Sequence, residues 1–301
     1  MGTWLDRPRW CAQKQCIPYQ TMPELPEIET IKNNLAPKVM GKIITKVTFP
    51  PDPKIRILRR FPSQQEFVRE LQGTKVQDLR RRAKYLIFEL IPTKTLVIHL
   101  GMSGQLLLKK SGTPYEPYIR AVFHFNKGTE LRFIDPRKFG EIFLKLPSLQ
   151  SHPLTLDRLG PEPLEKSFSI TCLTRILQKS RRAIKTLLLD QKSIAGIGNI
   201  YSDEILFQAK IHPTRLANSL DGNDIKLLHR SIRKILKDAI DNRGTTAADK
   251  RYRDGLGKVG KFQEKLKVYQ RTGNPCYQCG TNIKRMRIGG RSASFCPHCQ
   301  K

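Results

Sequence analysis

Met22-Pro23-Glu24-Leu25-Pro26-Glu27 places a proline where a chain start would expose it. If the chain begins at Pro23, its nitrogen is a secondary amine able to attack a carbonyl or a sugar C1′ and form an iminium. Glu24 would then sit beside it as a proton donor or acceptor. Kept inside a longer chain, the same nitrogen is an amide without a usable lone pair. A second reading stands next to this one: Pro23 and Pro26 simply shape the start of a helix.

At the other end, Cys276-x2-Cys279 and Cys296-x2-Cys299 form two knuckles separated by sixteen residues. This spacing can set four thiolates around one tetrahedral Zn2+. Two disulfides are the rival, but nothing in the sequence argues for secretion. His298 lies inside the second knuckle and reads as a surface residue, since four cysteines already complete the site. Gly280 and Gly289-Gly290 supply hairpin turns, and Arg287 and Arg291 fall where a hairpin could reach a phosphate.

Four further stretches carry chemistry less specifically. In Ile194-Ala195-Gly196-Ile197-Gly198-Asn199-Ile200-Tyr201, two glycines precede a helix start, which suits either helix packing or a phosphate held by exposed N–H groups. Lys84, after Arg80-Arg81-Arg82, is either another basic surface residue or a proton-transfer group whose hold on its proton the arginines weaken. His99-Leu100-Gly101-Met102-Ser103-Gly104 and Asp135-Pro136-Arg137-Lys138-Phe139-Gly140 put Met, Arg and Phe on turns. Buried Met and Phe usually belong to a core; on turns they also suit insertion into a base stack.

The charge balance defines the partner. Lys and Arg number 55 against 26 Asp and Glu, a formal net charge of +29. Basic runs are spread along the chain, which fits a folded groove for nucleic acid better than a single solvated tail. Acidic membrane surface is a distant second to nucleic acid as partner. No apolar stretch approaches the roughly 20 residues of a membrane span, so a soluble protein outside the membrane is expected.

The elements that must position these residues follow from periodicity. Leu25, Ile28, Ile31 and Leu35 mark a leading helix ended by Pro37. Eight alternating or apolar segments follow: 43–49, 74–79, 85–90, 96–100, 105–108, 121–125, 130–134 and 141–146, the pattern of an antiparallel sandwich or barrel. From about residue 149 the period becomes helical, with Ile170–Leu177 and a longer helix over Ile225–Ala239 preceded by Asp221 as cap. Gly244–Phe262 reads as a mobile polar loop. The expected organisation is α+β: an extension over 1–22, a catalytic β-sandwich domain over 23–148, a helical domain over 149–270 and a zinc finger over 271–301. The extension holds both tryptophans, Cys11 and Cys16, and no signal-peptide core. It reads as upstream sequence, a dispensable tail or a short targeting peptide.

Taken in order, these stretches and Gly160-Pro-Glu-Pro-Leu resemble the formamidopyrimidine-DNA glycosylase (Fpg, MutM) family over residues 22–301. Leu25 sets the start apart from the endonuclease VIII branch. The resemblance implies an N-terminal β-sandwich with leading helix, a helix–two-turns–helix (H2TH) domain and a C-terminal zinc-finger β-hairpin. It implies a monomer acting on damaged double-stranded DNA, cytoplasmic and nucleoid-associated in a bacterium. It also implies excision of oxidised purines, chiefly 8-oxoguanine and formamidopyrimidines, then strand cleavage by β,δ-elimination. By motif match Pro23 would be the nucleophile, Glu24 the donor to the opening sugar ring, Lys84 the β-elimination proton donor and Arg291 the δ-elimination residue. His99 and Asn199 match phosphate contacts, and Arg181 a basic DNA-contacting position. Met102, Arg137 and Phe139 match side chains that fill the void left by an extruded base, Arg137 facing the orphaned cytosine. Tyr118 stands where the family commonly has a DNA-contacting His. Retention of the extension would acylate Pro23, and the chain would then be a non-catalytic zinc protein binding damaged DNA; an RNA-binding zinc-ribbon protein is a third reading.

Overall fold

The structure, a computed structural model, describes residues 22–51, 58, 63–146, 155–247 and 251–301. The expected extension lies outside these residues apart from Met22, and so does the expected boundary at 148/149.

The leading helix α1 (Leu25–Val39) forms as its apolar spacing dictates and joins two cores. Ile28, Ile31, Leu35 and Val39 pack into the core of the N-terminal unit, whereas Leu25 packs into the helical one. The helix passes Pro37 instead of stopping there. Pro37 loses the hydrogen bond to the Asn33 carbonyl and its ring crowds that carbonyl, yet it lies in the last turn, which Met40 N still closes by reaching Ala36 O.

All eight expected strands are present, as β1 (Ile44–Thr48), β2 (Lys75–Arg82), β3 (Tyr85–Ile91), β4 (Lys94–His99), β5 (Gln105–Lys110), β6 (Ile119–Phe125), β7 (Thr129–Ile134) and β8 (Glu141–Lys145). They pair antiparallel in two four-stranded sheets, β1-β6-β7-β5 and β2-β3-β4-β8, a sandwich and not one closed barrel. Phe88, Leu96 and Ile98 of one sheet meet Leu106, Phe123 and Phe133 of the other in the core. A short helix, α2 (Gln64–Leu71), was not legible in the sequence. It is eight residues long, capped by Ser63 Oγ, which accepts from Glu66 N, and it buries only Phe67 and Leu71.

The second unit comprises α3 (Ile170–Gln178), α4 (Ile184–Leu189), α5 (Asn199–Gln208) and α6 (Gly222–Asp241). Asp221 caps α6 as expected, accepting from Asp224 N at 2.8 Å. The described residues of the segment over 244–262, which are 244–247 and 251–262, are mostly irregular, as expected of a loop, but they are held by specific contacts. Thr245, Thr246 and Asp254 are buried, Asp254 pairs with Arg243 at 2.9 Å, and Leu108 N donates to Gly255 O. Polar residues are tied down here by partners remote in sequence.

The C-terminal hairpin, β9 (Lys284–Ile288) and β10 (Arg291–Phe295), turns at Gly289-Gly290, both at positive φ. It is docked on the helical unit. Ser294 N donates to Asp203 Oδ2 at 2.9 Å, and the buried Asp203 pairs with the buried Lys185 at 2.6 Å. Next to it, the Glu204 carboxylate accepts from the N–H groups of Lys267, Val268 and Tyr269, where the chain leads into the finger.

Candidate active site and zinc centre

The three units converge on a cavity of about 850 Å3. Met22, Glu24, Lys84, His99 and Met102 line it from the first unit, Gly198 and Asn199 from the second, and Arg287, Arg291 and Ser292 from the hairpin. Glu24, Lys84, His99, Met102, Asn199, Arg287 and Arg291, all singled out in the sequence, therefore share one space. Pro23 is buried between Met22 and Glu24, and in this chain its nitrogen is bonded to the Met22 carbonyl.

Glu24 is held across the domain junction. Its carboxylate accepts from Gly198 N at 2.7 Å and Ile200 N at 2.8 Å, at the amino end of α5. These N–H groups therefore hold a protein carboxylate and are not free for a phosphate, contrary to one reading of the glycine stretch. Burial raises the Glu24 carboxyl above its ordinary range, opposed by Lys84 and by those N–H donors. Gly198 has to lack a side chain, because a Cβ would sit 2.3 Å from Glu24 Cδ.

Lys84 is 5 % exposed and sits in the turn ahead of β3. Burial lowers its affinity for a proton; Glu24 and Glu27 oppose the shift and Arg291 adds to it. The cause is thus desolvation and not the adjoining arginines. Arg81 is committed to Glu29 and Glu162, each at 2.7 Å, and Arg82 to Glu162 and the carbonyls of Leu159 and Gly160. Those contacts tie the Lys84 turn to α1 and to the second unit.

His99 ends β4 beside Tyr85, ring centroids 4.7 Å apart. Burial, and then the Lys84 charge, bring its pKa down to about 4, so the imidazole is neutral at physiological pH. Gly101 N donates to Nδ1 at 3.2 Å, which leaves Nε2 as the protonated nitrogen. Asn199 donates weakly to Ser292 Oγ at 3.4 Å, and its Oδ1 has no hydrogen-bond partner among the described residues.

Glu27 was not singled out in the sequence, and the structure makes it a hub. It accepts from Glu24 N at 2.9 Å, from Thr245 N at 2.7 Å and from the Tyr201 hydroxyl. Burial first, and then the Glu24 charge, raise its pKa to about 7. The available signal was its place three residues after Glu24, the helix-capping spacing.

The other expected DNA-contacting residues lie outside the cavity. Tyr118 and Phe139 are exposed, and Arg137 stacks over the Phe139 ring at 4.8 Å. Arg181 lines a separate basic cleft of about 460 Å3 with Lys179, Arg182 and Lys192.

The Sγ atoms of Cys276, Cys279, Cys296 and Cys299 all lie within 4.8 Å of one another. Cys276–Cys299 and Cys279–Cys296 are 4.0 and 3.5 Å apart, far beyond the roughly 2.05 Å of a disulfide. Four thiolates at tetrahedral spacing fit Zn2+, and His298 is exposed, as its position suggested.

Comparison with known proteins decides the family. The formamidopyrimidine-DNA glycosylase N-terminal domain matches residues 22–142, the H2TH domain of the same glycosylases residues 159–250, and the zinc finger found in FPG and IleRS residues 273–301. The formamidopyrimidine-DNA glycosylase of Listeria innocua is 41 % identical over 282 residues, 93 % of this chain and 100 % of that protein. That of Carboxydothermus hydrogenoformans is 43 % identical over 281 residues, with the same shares covered. The chain belongs to the formamidopyrimidine-DNA glycosylase family.

Among solved members of the family, the Thermus thermophilus MutM (Fpg) protein superposes with a TM-score of 0.81 at 38 % identity, covering 92 % of this chain and 98 % of that one. Lactococcus lactis Fpg in complex with DNA containing an abasic site gives 0.83 at 37 % identity, covering 92 % and 99 %. As a formamidopyrimidine-DNA glycosylase family member the chain is an enzyme, a glycosylase with the family's lyase activity, and its finger holds one structural zinc. No helix among the described residues is long and apolar enough to cross a membrane.

Proposed function

We propose that this enzyme carries out base-excision repair on double-stranded DNA, extruding and excising 8-oxoguanine and formamidopyrimidines and then nicking the strand. The observation that carries the reading is the convergence of the amino end, Lys84, His99, Asn199 and Arg291 on one cavity. Lactococcus lactis Fpg bound to Fapy-dG DNA, 36 % identical, supports the lesion class.

In the active form the chain begins at Pro23. Its free amine attacks C1′ of the damaged nucleotide, the glycosidic bond breaks, and the base departs with a proton. Glu24, whose raised affinity for a proton suits a donor, protonates the ring oxygen as the sugar opens. Loss of a C2′ proton expels the 3′ phosphate, with Lys84 in proton transfer, and elimination of the 5′ phosphate follows with Arg291. His99 and Asn199 hold phosphates at the lesion, with Arg181 and Tyr118 on flanking backbone. Met102, Arg137 and Phe139 occupy the gap in the stack, which offsets part of the few kcal/mol that extrusion costs. One chain carries every group required, so a monomer suffices. The zinc supplies folding energy to a finger too small for a core of its own and so holds Arg291 in place.

A chain that keeps Met22 has an amide at position 23, and that form acts only as a zinc-dependent binder of damaged DNA. Borohydride trapping on an 8-oxoguanine duplex separates the two. A chain starting at Pro23 is expected to form a covalent adduct and a Met22-retaining chain none. No adduct from the Pro23 form would overturn the enzyme mechanism.

A further inference from the structure

Met102 lies between β4 and β5, whereas Arg137 and Phe139 lie between β7 and β8. Both connections cross from one sheet of the sandwich to the other, and they meet backbone to backbone. Gly101 has φ of +62°, and a Cβ there would fall 2.5 Å from the Phe139 carbonyl group. Gly140 is equally confined, since a Cβ would lie 2.4 Å from Phe133 Cζ. Asp135 is the polar centre of this junction and is fully buried. Its Oδ1 accepts from Ser103 Oγ at 2.6 Å and Arg137 N at 3.2 Å, and its Oδ2 accepts from Gly140 N at 2.7 Å. Its backbone N donates to Tyr118 O at 3.0 Å, and its carbonyl accepts from Arg120 Nε at 2.8 Å.

We propose that Asp135, with Ser103 as its partner, is a positioning residue that makes Met102, Arg137 and Phe139 one rigid wedge. The inference rests on the reading above that these three side chains fill the void. Met102 and Arg137 are half-buried and Phe139 is exposed, each on a turn that by itself has many conformations. The buried carboxylate removes that freedom: one residue accepts from both turns, and its oxygens are shut away from bulk solvent. An asparagine in its place has one acceptor oxygen, so a buried N–H of Gly140 or Arg137 would face an NH2 group. The wedge would then loosen while Glu24, Lys84 and Arg291, held elsewhere, stayed in place.

The test uses the zinc-loaded chain starting at Pro23, with Asp135→Asn and Ser103→Ala. Single-turnover excision is measured on duplexes with 8-oxoguanine opposite C and opposite A, and nicking on a preformed abasic site. For Asp135→Asn, excision opposite C is expected to fall roughly tenfold and the C-over-A preference to shrink. Nicking of the preformed abasic site should stay within about threefold of the parent, because no base has to be extruded. Equal loss on all three substrates, or no loss on any, overturns the proposal. If Asp135→Asn does not fold, Ser103→Ala, which removes a single hydrogen bond, decides by the same criteria. Met102→Ala and Arg137→Ala serve as controls. Intact excision in both would sink the void-filling reading itself. Impaired controls beside an unimpaired Asp135→Asn would sink only the role of Asp135.

Discussion

The Gly198 N–H donates to the Glu24 carboxylate at 2.7 Å across 174 positions of the chain. This contact sets the proposed ring-protonating group on the amino end of a helix from another domain, where the helix dipole and two strong donors orient it. It couples the amino end of the chain to the H2TH unit, so neither half of the site exists without the other.

Gly198→Ala should therefore cost activity out of proportion to its size. The added Cβ has nowhere to go but against Glu24 Cδ, 2.3 Å away. A shift of the carboxylate by about an ångström is expected to reduce 8-oxoguanine excision roughly a hundredfold. Single-turnover assays beside a thermal melt check this, and a variant with parental excision would show that the contact is dispensable.

Glu27 should make stability depend on pH. Its folded pKa of about 7 is above the ordinary 4.5, so the folded state binds the proton more tightly. The stabilisation is fully present below pH 4.5 and is lost as pH rises towards 7, a span worth up to about 3 kcal/mol. Glu27→Gln removes the titration, and urea unfolding at pH 5 and pH 7.5 should give a smaller difference than in the parent. An unchanged difference would assign the pH dependence to other groups.

His99 and Arg291 should differ in how salt affects them. The imidazole, with a pKa near 4, meets a phosphate as a neutral donor, whereas Arg291 brings a charge. Arg291→Gln is expected to lower the slope of log K against log salt by about one, while His99→Gln weakens binding without altering the slope. Equal slopes for both variants would contradict the assignment.

Removal of zinc should abolish elimination of the 5′ phosphate by displacing the hairpin that carries Arg291. Cys296→Ser, or a chelator, leaves a module of about 30 residues without the ion that folds it. The expected readings are one zinc per chain before treatment, loss of the 5′-phosphate elimination afterwards, and retained near-native melting of the sandwich core. Persistent elimination of the 5′ phosphate in a zinc-free sample would show that Arg291 is placed without the metal.

Much of this molecule was legible in the sequence because local periodicity and spacing carry it. The eight strands, the leading helix and the Asp221 cap follow from patterns confined to a few residues. The four cysteines point to their metal by spacing, although only the Sγ separations exclude the rival disulfides, and the motifs carry the family. What the sequence could not reveal depends on partners far away along the chain. Glu27 did not stand out until Tyr201 and Thr245 closed around it. Lys84 looked tuned by neighbouring arginines until Glu29 and Glu162 claimed Arg81 and burial became the cause. The glycines near Asn199 looked open to a phosphate until Gln191 took the Gly196 N–H and Glu24 those of Gly198 and Ile200. Secondary structure is set by neighbours in sequence. Protonation, orientation and access are set by neighbours in space, and only the packed domains decide which those are.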